Sequence, residues 1–124
     1  MKKVLVIDNG DNNCLANFLR IKNENNGRSL EVREGDFLKD DVDEFEVVVL
    51  RISPFNDESL VFLEKLKRNR AIKRRGKKQK IVVVSDCPYY SESLRIEAKK
   101  KKDRKFIVLN EPLDVSSFFK IVSE

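Results

Sequence analysis

The chain contains no histidine and no tryptophan, and only two of its 124 residues are cysteines, Cys14 and Cys87. A zinc site of histidine and paired cysteines therefore has almost no ligands available. Catalysis by a serine–histidine or cysteine–histidine pair is excluded as well. Two scattered thiols are typical of reduced intracellular cysteines, so we expect neither a disulfide nor a reactive thiol. We expect a protein that is not an enzyme and that uses no metal and no cofactor.

Long apolar runs are also missing. No run approaches the roughly 20 residues that span a bilayer. Near the start, only four apolar residues separate Lys3 from Asp8, fewer than a secretory signal requires. We therefore expect a cytoplasmic protein with no membrane partner. The length suits one domain over residues 1–124.

The charge is unevenly distributed along the chain. Seventeen basic and four acidic residues lie between Lys65 and Lys105, a local net charge of +13, whereas the whole chain carries +5. Such a segment forms either a solvated lysine-rich surface or a face that binds a polyanion or an acidic partner. The basic residues that would form this face are Lys73, Arg74, Arg75, Lys77, Lys78, Lys99, Lys100, Lys101 and Lys102.

Five short apolar runs alternate with helical patterns. Four of the runs are nearly continuous and rich in β-branched residues, which is typical of parallel strands buried on both faces. The run SLEVR alternates and suits an edge strand. The runs are KVLVID (3–8), SLEVR (29–33), FEVVVLRI (45–52), KIVVVS (80–85) and KFIVL (105–109).

Helical spacing predicts helices between these runs, and the segment FLKDDVDEF is the weakest because it is short and acidic. The predicted helices begin near Asn12, Asp57, Ser91 and Asp114. Repeated strand–helix alternation predicts an α/β fold, a doubly wound parallel sheet of five strands with helices on both faces. In such a sheet the working site lies at the carboxyl ends of the strands.

The strand ends carry no nucleotide-binding motif. Neither G-x-G-x-x-G nor G-x-x-x-x-G-K occurs, and the turn DNGDNN after the first run does not match the hydroxyl-rich phosphate loop of flavodoxins. Four other strand ends are informative. Asp8-Asn9 follows the first run, LRISPFNDES spans the end of the third, Ser85 ends the fourth, and Glu111-Pro112 follows the fifth.

In this order the motifs resemble those of the receiver domains of response regulators, over the whole length of the chain. The resemblance implies a flavodoxin-like strand order 2-1-3-4-5. It also implies a phosphorylation pocket made of an acidic pair, an acceptor aspartate, a hydroxyl residue and a lysine. Here the corresponding degenerate pocket consists of Asp8, Asn9, Arg51, Ser85 and Glu111.

The departures from the receiver pattern remove its chemistry. The acceptor position holds Arg51 when counted from the start of the strand and Leu50 when counted back from Pro54, and neither forms an acyl phosphate. Glu111 replaces the lysine and would repel a phosphoryl group. If Arg51 occupies the position, we expect its guanidinium to bridge Asp8 and Glu111. If Leu50 does, Arg51 lies on the opposite face.

Three functions remain open. The first is a phosphorylation-independent, receiver-like adaptor (a pseudo-receiver) that binds another protein. As in receivers, the fourth helix, fifth strand and last helix would form the docking or homodimer face.

The second is nucleic-acid binding by the basic segments 73–80 and 99–105, which should lie at the amino-end rim of the sheet. The third is a phosphotransfer enzyme of the haloacid dehalogenase type with Asp8 as nucleophile, although its D-x-D motif is absent. The candidate docking residues are Arg95, Lys99, Phe106, Phe118 and Phe119.

Overall fold

The computed structural model of the chain describes residues 1–8, 14–27, 29–35, 42–53, 55–68 and 79–124, together with the backbone of 69–72. Its five strands form one parallel sheet in the order β2-β1-β3-β4-β5, which confirms the predicted fold. The strands are β1 (Lys2–Ile7), β2 (Leu30–Gly35), β3 (Val47–Ile52), β4 (Lys80–Ser85) and β5 (Phe106–Asn110). Each coincides with a predicted apolar run to within about two residues. Burial on both faces leaves a continuous apolar run in the central strands, whereas the edge strand β2 has an alternating one.

Four helices are described, together with one 3-10 turn at Val42–Glu44. Helix α4 begins as predicted after Asp114, whose carboxylate accepts hydrogen bonds from two backbone N–H groups of the first turn. Helix α3 begins three residues before the predicted start, because a proline is well tolerated in the first turn. The doubtful acidic segment FLKDDVDEF lies outside the described residues over 37–41, and its second half forms the 3-10 turn at Val42–Glu44. The helices are α1 (Cys14–Asn25), α2 (Asp57–Ile72), α3 (Pro88–Lys100) and α4 (Val115–Ser123).

Side chains of each strand alternate between two apolar layers. One layer packs against α2 and α3 and includes Leu50 and Val83. The other packs against α1 and α4 and includes Val49 and Val84. The parity of a strand position therefore decides which pair of helices its side chain faces, and this rule extends to the polar residues at the strand ends.

Helix side chains bind the outer backbone of both edge strands. On β2, the Asn23 side chain accepts a hydrogen bond from the Leu30 N–H at 2.9 Å and donates one to its carbonyl at 2.7 Å. On β5, the Arg95 guanidinium donates to the Val108 carbonyl at 3.1 and 3.3 Å. Uncapped edges are templates for strand addition. These contacts obstruct pairing with another strand at those positions.

Of the three phenylalanines on the predicted docking face of α3, β5 and α4, two belong to the core. Phe106 and Phe118 are buried in the two core layers, and Phe119 packs partly buried against the second layer. Lys99 is exposed. Among the described helices, none is long and apolar enough to cross a membrane.

Candidate functional site

Three charged side chains lie together at the carboxyl ends of the strands. Asp8 follows β1, Arg51 is the penultimate residue of β3, and Glu111 follows β5. Arg51 has the same strand parity as Val49, so it belongs to the side of the sheet covered by α1 and α4. Leu50 is fully buried in the opposite layer. Of the two alignments, the structure therefore has the one that gives Arg51 the position between the acids.

The Arg51 guanidinium contacts both carboxylates, which is the predicted bridge. Its Nε donates to Glu111 Oε1 at 2.6 Å, and its Nη2 also contacts that oxygen. Its Nη1 donates to the Asp8 carboxylate, at 3.2 Å to Oδ1 and 3.4 Å to Oδ2. A planar guanidinium suits this task because it presents donors in fixed directions, unlike the ammonium group of lysine. We call Asp8, Arg51 and Glu111 the Arg51 site.

The Arg51 site lies at the boundary between core and solvent. The Asp8 side chain is 1% exposed, the Arg51 side chain 31% and the Glu111 side chain 27%. Partial burial lowers the pKa of Arg51, but the hydrogen bond to Glu111 and the charges of both acids outweigh that effect, so the pKa is raised. The guanidinium is therefore charged at neutral pH.

Ser85 does not join this site. It has the parity of Val83 and is completely buried on the side covered by α2 and α3. Its Oγ accepts a hydrogen bond from the Cys87 N–H at 3.1 Å, which is the role of a strand-end hydroxyl. Its register partner on β5 is Asn110, whose Oδ1 is buried without a hydrogen-bond partner among the described residues. The prediction that Ser85 and Arg51 share one pocket is therefore wrong, because their side chains lie on opposite faces of the sheet.

Asn9 lies outside the described residues. Within the part of the chain that the structure describes, no three histidine, cysteine, aspartate or glutamate side chains lie together as metal ligands would. Both cysteines are free and partly buried. What the Arg51 site offers chemically is thus a cation held between two carboxylates.

The predicted basic surface is described only in part. Lys99, Lys100, Lys101 and Lys102 are all exposed at the carboxyl end of α3, just before the turn into β5. This places them at the amino-end rim of the sheet, opposite the Arg51 site, as expected from the order of the elements. The residues Lys73, Arg74, Arg75, Lys77 and Lys78 lie outside the described residues.

Two exposed aromatic side chains were missed by the sequence interpretation. Phe55, shortly after β3, is 91% exposed, and Tyr89, in the first turn of α3 after β4, is 90% exposed. Both follow the carboxyl ends of adjacent central strands. No periodicity distinguishes an exposed aromatic residue in a loop from a buried one, because exposure there depends on the path of the backbone. The position of each residue after a strand was the available signal.

No family model matches the chain, and no curated protein matches it. Solved structures do. One of them is titled "Structure of a Short-Chain Flavodoxin Associated with a Non-Canonical PDU Bacterial Microcompartment". It is 16% identical to this chain with a TM-score of 0.59, and the match covers 98% of this chain and 95% of that one. This likeness concerns the fold alone. Together with the strand order, it establishes that the chain has a flavodoxin-like α/β fold.

Proposed function

We propose that this chain is a phosphorylation-independent, receiver-like module that binds another protein and is not an enzyme. The observation that carries the proposal is the position of the Arg51 guanidinium between Asp8 and Glu111. The carboxyl ends of the strands are where such folds place their working site. In this chain the Arg51 guanidinium occupies that position.

The charges of the Arg51 site oppose receiver chemistry from both sides. A divalent cation approaching Asp8 would meet the charge of Arg51, whose Nη1 lies 3.2 Å from Oδ1. A phosphoryl group approaching Arg51 would meet two carboxylates. Arginine itself cannot form an acyl phosphate. Chemical signalling through this position is therefore disfavoured, and recognition of a partner is the remaining use of the surface.

The Arg51 bridge also supports one constant conformation. Receivers change conformation when a phosphoryl group is added, and a switch of that kind requires two states of similar free energy. Here the guanidinium donates to acids that follow two different strands, β1 and β5. Because one partner, Asp8, is almost completely buried, a second state would leave its charge without the cation, which is costly.

Exposed aromatic residues support protein binding at the carboxyl edge of the sheet. Aromatic side chains are enriched at the centres of protein interfaces, and Phe55 and Tyr89 are both about nine-tenths exposed there. Tyr89 belongs to the first turn of α3, and further along the face formed by α3, β5 and α4 the large apolar residue with high exposure is Ile96, at 49%. A homodimer through that face is the competing arrangement.

Two groups of measurements, one of chemistry and one of binding, test the proposed function. We expect that acetyl phosphate with Mg²⁺ adds no mass to the chain, and that the chain does not hydrolyse a generic phosphate ester. A stoichiometric aspartyl phosphate, or turnover that disappears in Asp8→Asn, would contradict the proposal.

For the binding surface, we expect a protein that co-purifies with the wild type to be lost from a Phe55→Ala, Tyr89→Ala double variant and retained by Ile96→Ala. A dimer by light scattering that dissociates in Ile96→Asp would favour the homodimer instead.

A further inference from the structure

A second candidate site lies at the opposite end of the sheet from the Arg51 site. A cavity of about 540 Å³ opens between α2, the carboxyl-terminal half of α3 and the turn that leads into β5. We call it the α2–α3 cavity. Its volume is within the range of about 300–1,000 Å³ that is typical of ligand pockets. The sequence interpretation placed basic residues here but did not predict a cavity.

The floor of the α2–α3 cavity is apolar. Leu94, Ala98 and Phe106 line it. Leu94 and Phe106 are buried members of the core layer beneath α2 and α3, and Ala98 packs against the same layer. Because these side chains are held by the core, the floor is preformed. A bound apolar group would gain about 25 cal/mol for each Å² of apolar surface that it removes from water.

One side of the cavity is closed by a chain of ion pairs between the two helices. Lys67 on α2 has its Nζ 3.0 Å from Glu97 Oε2 on α3 and 3.2 Å from Glu64 Oε1. Lys101 Nζ lies 3.2 Å from Glu97 Oε1. Burial lowers the pKa of Lys67, but its hydrogen bonds to the two glutamates outweigh burial and raise it, so the ammonium group stays charged. These contacts hold the carboxyl-terminal halves of α2 and α3 together beside the opening.

The remaining rim is mainly cationic. Lys102, Arg104 and Lys105 line the cavity and are exposed, and Asp103 adds one acid. Together with Lys67, Lys101 and Glu97, the described residues of the lining comprise five cations and two carboxylates, a net charge of +3. Lys102 is also the one described non-glycine residue with a positive φ, at 54°. Helices commonly end with a left-handed glycine at this position, yet here a lysine occupies it on the rim of a cavity.

We propose that the α2–α3 cavity binds an acidic segment of a partner protein that carries a large apolar side chain at its centre. The apolar side chain would contact the floor formed by Leu94, Ala98 and Phe106, and flanking carboxylates would pair with the exposed cations of the rim. The proposal rests on the proposed function, because it names the chemistry of a partner of the same protein-binding module.

The lining favours an acidic peptide over nucleic acid. Proteins that bind single-stranded nucleic acid provide exposed aromatic rings on which bases stack. Among the described residues of the lining, Phe106 is the aromatic one, and it is buried. Glu97 and Asp103 would also repel a continuous row of phosphates. A peptide with a few separated carboxylates around an apolar residue matches both the floor and the mixed rim.

The test uses two synthetic libraries of eight-residue peptides. The first has aspartate or glutamate at the flanking positions and leucine, isoleucine or phenylalanine at two central positions. The second has serine at those central positions. We expect the wild-type chain to enrich binders from the first library only. A mixed-sequence single-stranded oligonucleotide and a duplex of similar charge are measured in parallel at low salt, where phosphate contacts are strongest.

Variants separate the cavity from the lysine tract around it. Lys102→Gly removes a rim cation while relieving the left-handed backbone, so we expect a raised melting temperature together with about fivefold weaker peptide binding. Ala98→Leu extends a side chain into the cavity without a change of charge, and should weaken binding by about tenfold or more. The matched control is Lys99→Gln with Lys100→Gln, two exposed lysines outside the lining, with affinity expected within about twofold of the wild type.

Three results would overturn the proposed site. The first is the absence of enrichment from the first library over the second. The second is equal loss of binding in the control and in Lys102→Gly, and the third is tighter binding of the oligonucleotides, since either would show a general polyanion surface. Failure of this site is distinguishable from failure of the proposed function. A co-purifying protein that remains bound to Ala98→Leu and is lost from the Phe55, Tyr89 double variant would reject the cavity and leave the protein-binding role intact.

Discussion

Replacing Arg51 by alanine removes the cation from the Arg51 site and leaves both acids in place. Asp8 then keeps a carboxylate that is 1% exposed in the native chain, and Glu111 keeps one that is 27% exposed. Alanine can neither donate a hydrogen bond nor fill the space of the guanidinium. We therefore expect Arg51→Ala to fold less stably without a change of strand order.

The magnitude follows from the burial of the three partners. Breaking a buried ion pair typically costs about 3–5 kcal/mol, whereas losing an exposed pair costs under about 1 kcal/mol. Asp8 is at the buried limit, but Arg51 is 31% exposed, and Asp8 has further interactions within the chain. We expect Arg51→Ala to lower the free energy of unfolding by about 2–3 kcal/mol, between those two limits. Arg51→Lys should lose less, because an ammonium keeps the charge but not the fixed bridging geometry.

Urea unfolding followed by circular dichroism measures these differences, with Lys120→Ala as a control. Lys120 lies 3.9 Å from Glu124 in an exposed pair, and its removal should change little. A near-neutral Arg51→Ala at neutral pH would refute the argument from burial.

Three further predictions concern other contacts. Glu97→Gln should cost under about 1 kcal/mol, because Glu97 is 40% exposed. Burial raises the pKa of Glu97, but its lysine partners, Lys67 among them, outweigh burial and lower it. Its contribution is therefore full above the unfolded pKa of about 4.3 and is lost as pH falls through the lower folded pKa, as urea unfolding across that range would show. Asn23→Ala should cost about 1–2 kcal/mol and speed amide exchange at Leu30, because it leaves the edge of β2 uncapped. Asp114→Ala should lower the melting temperature, since hydroxyl and N–H donors in the first turn of α4 lower the pKa of Asp114. That contribution is present above the unfolded pKa of about 3.9 and is lost as pH falls through the folded value, which thermal unfolding at several pH values measures.

The sheet could be predicted from the sequence because its signal is local. Burial on both faces makes each central strand an apolar run, and the alternating run SLEVR correctly indicated an edge strand. The start of α3 was less predictable. Its first turn contains Pro88 and lacks a side-chain cap, since Cys87 occupies the N-cap position without such a hydrogen bond. Because N-cap positions favour residues such as serine, the sequence predicts a helix start near Ser91 rather than at Pro88.

The Arg51 site was predictable for a different reason. A cation near the end of a central strand is costly without carboxylates nearby, and the strand order brings Asp8 and Glu111 to the same edge. The alternation of side chains along β4 also excludes Ser85 from the Arg51 site. Ser85 is two residues after the buried Val83, so its side chain faces the same layer as Val83. The α2–α3 cavity had no such local signal. Lys67 and Glu97 are 30 residues apart in the chain, and only the packing of two helices brings them together.

The two ends of the sheet differ in the sign of their net charge, and this difference affects where an acidic partner binds. At the carboxyl end, one guanidinium contacts two carboxylates, so the charged groups of the Arg51 site already have partners within the chain. At the amino end, the part of the α2–α3 cavity lining that the structure describes has five cations against two carboxylates. The three groups of the Arg51 site sum to a charge of −1, whereas the described lining of the cavity sums to +3. The positive field at the amino end accelerates the encounter with an acidic partner. An acidic partner should therefore approach the amino-end rim faster at low salt, whereas contacts with Phe55 and Tyr89 should be insensitive to salt. Measuring the association rate at several salt concentrations separates these two contributions. We expect Lys102→Gly to reduce the salt dependence of the rate and Phe55→Ala to leave that dependence unchanged.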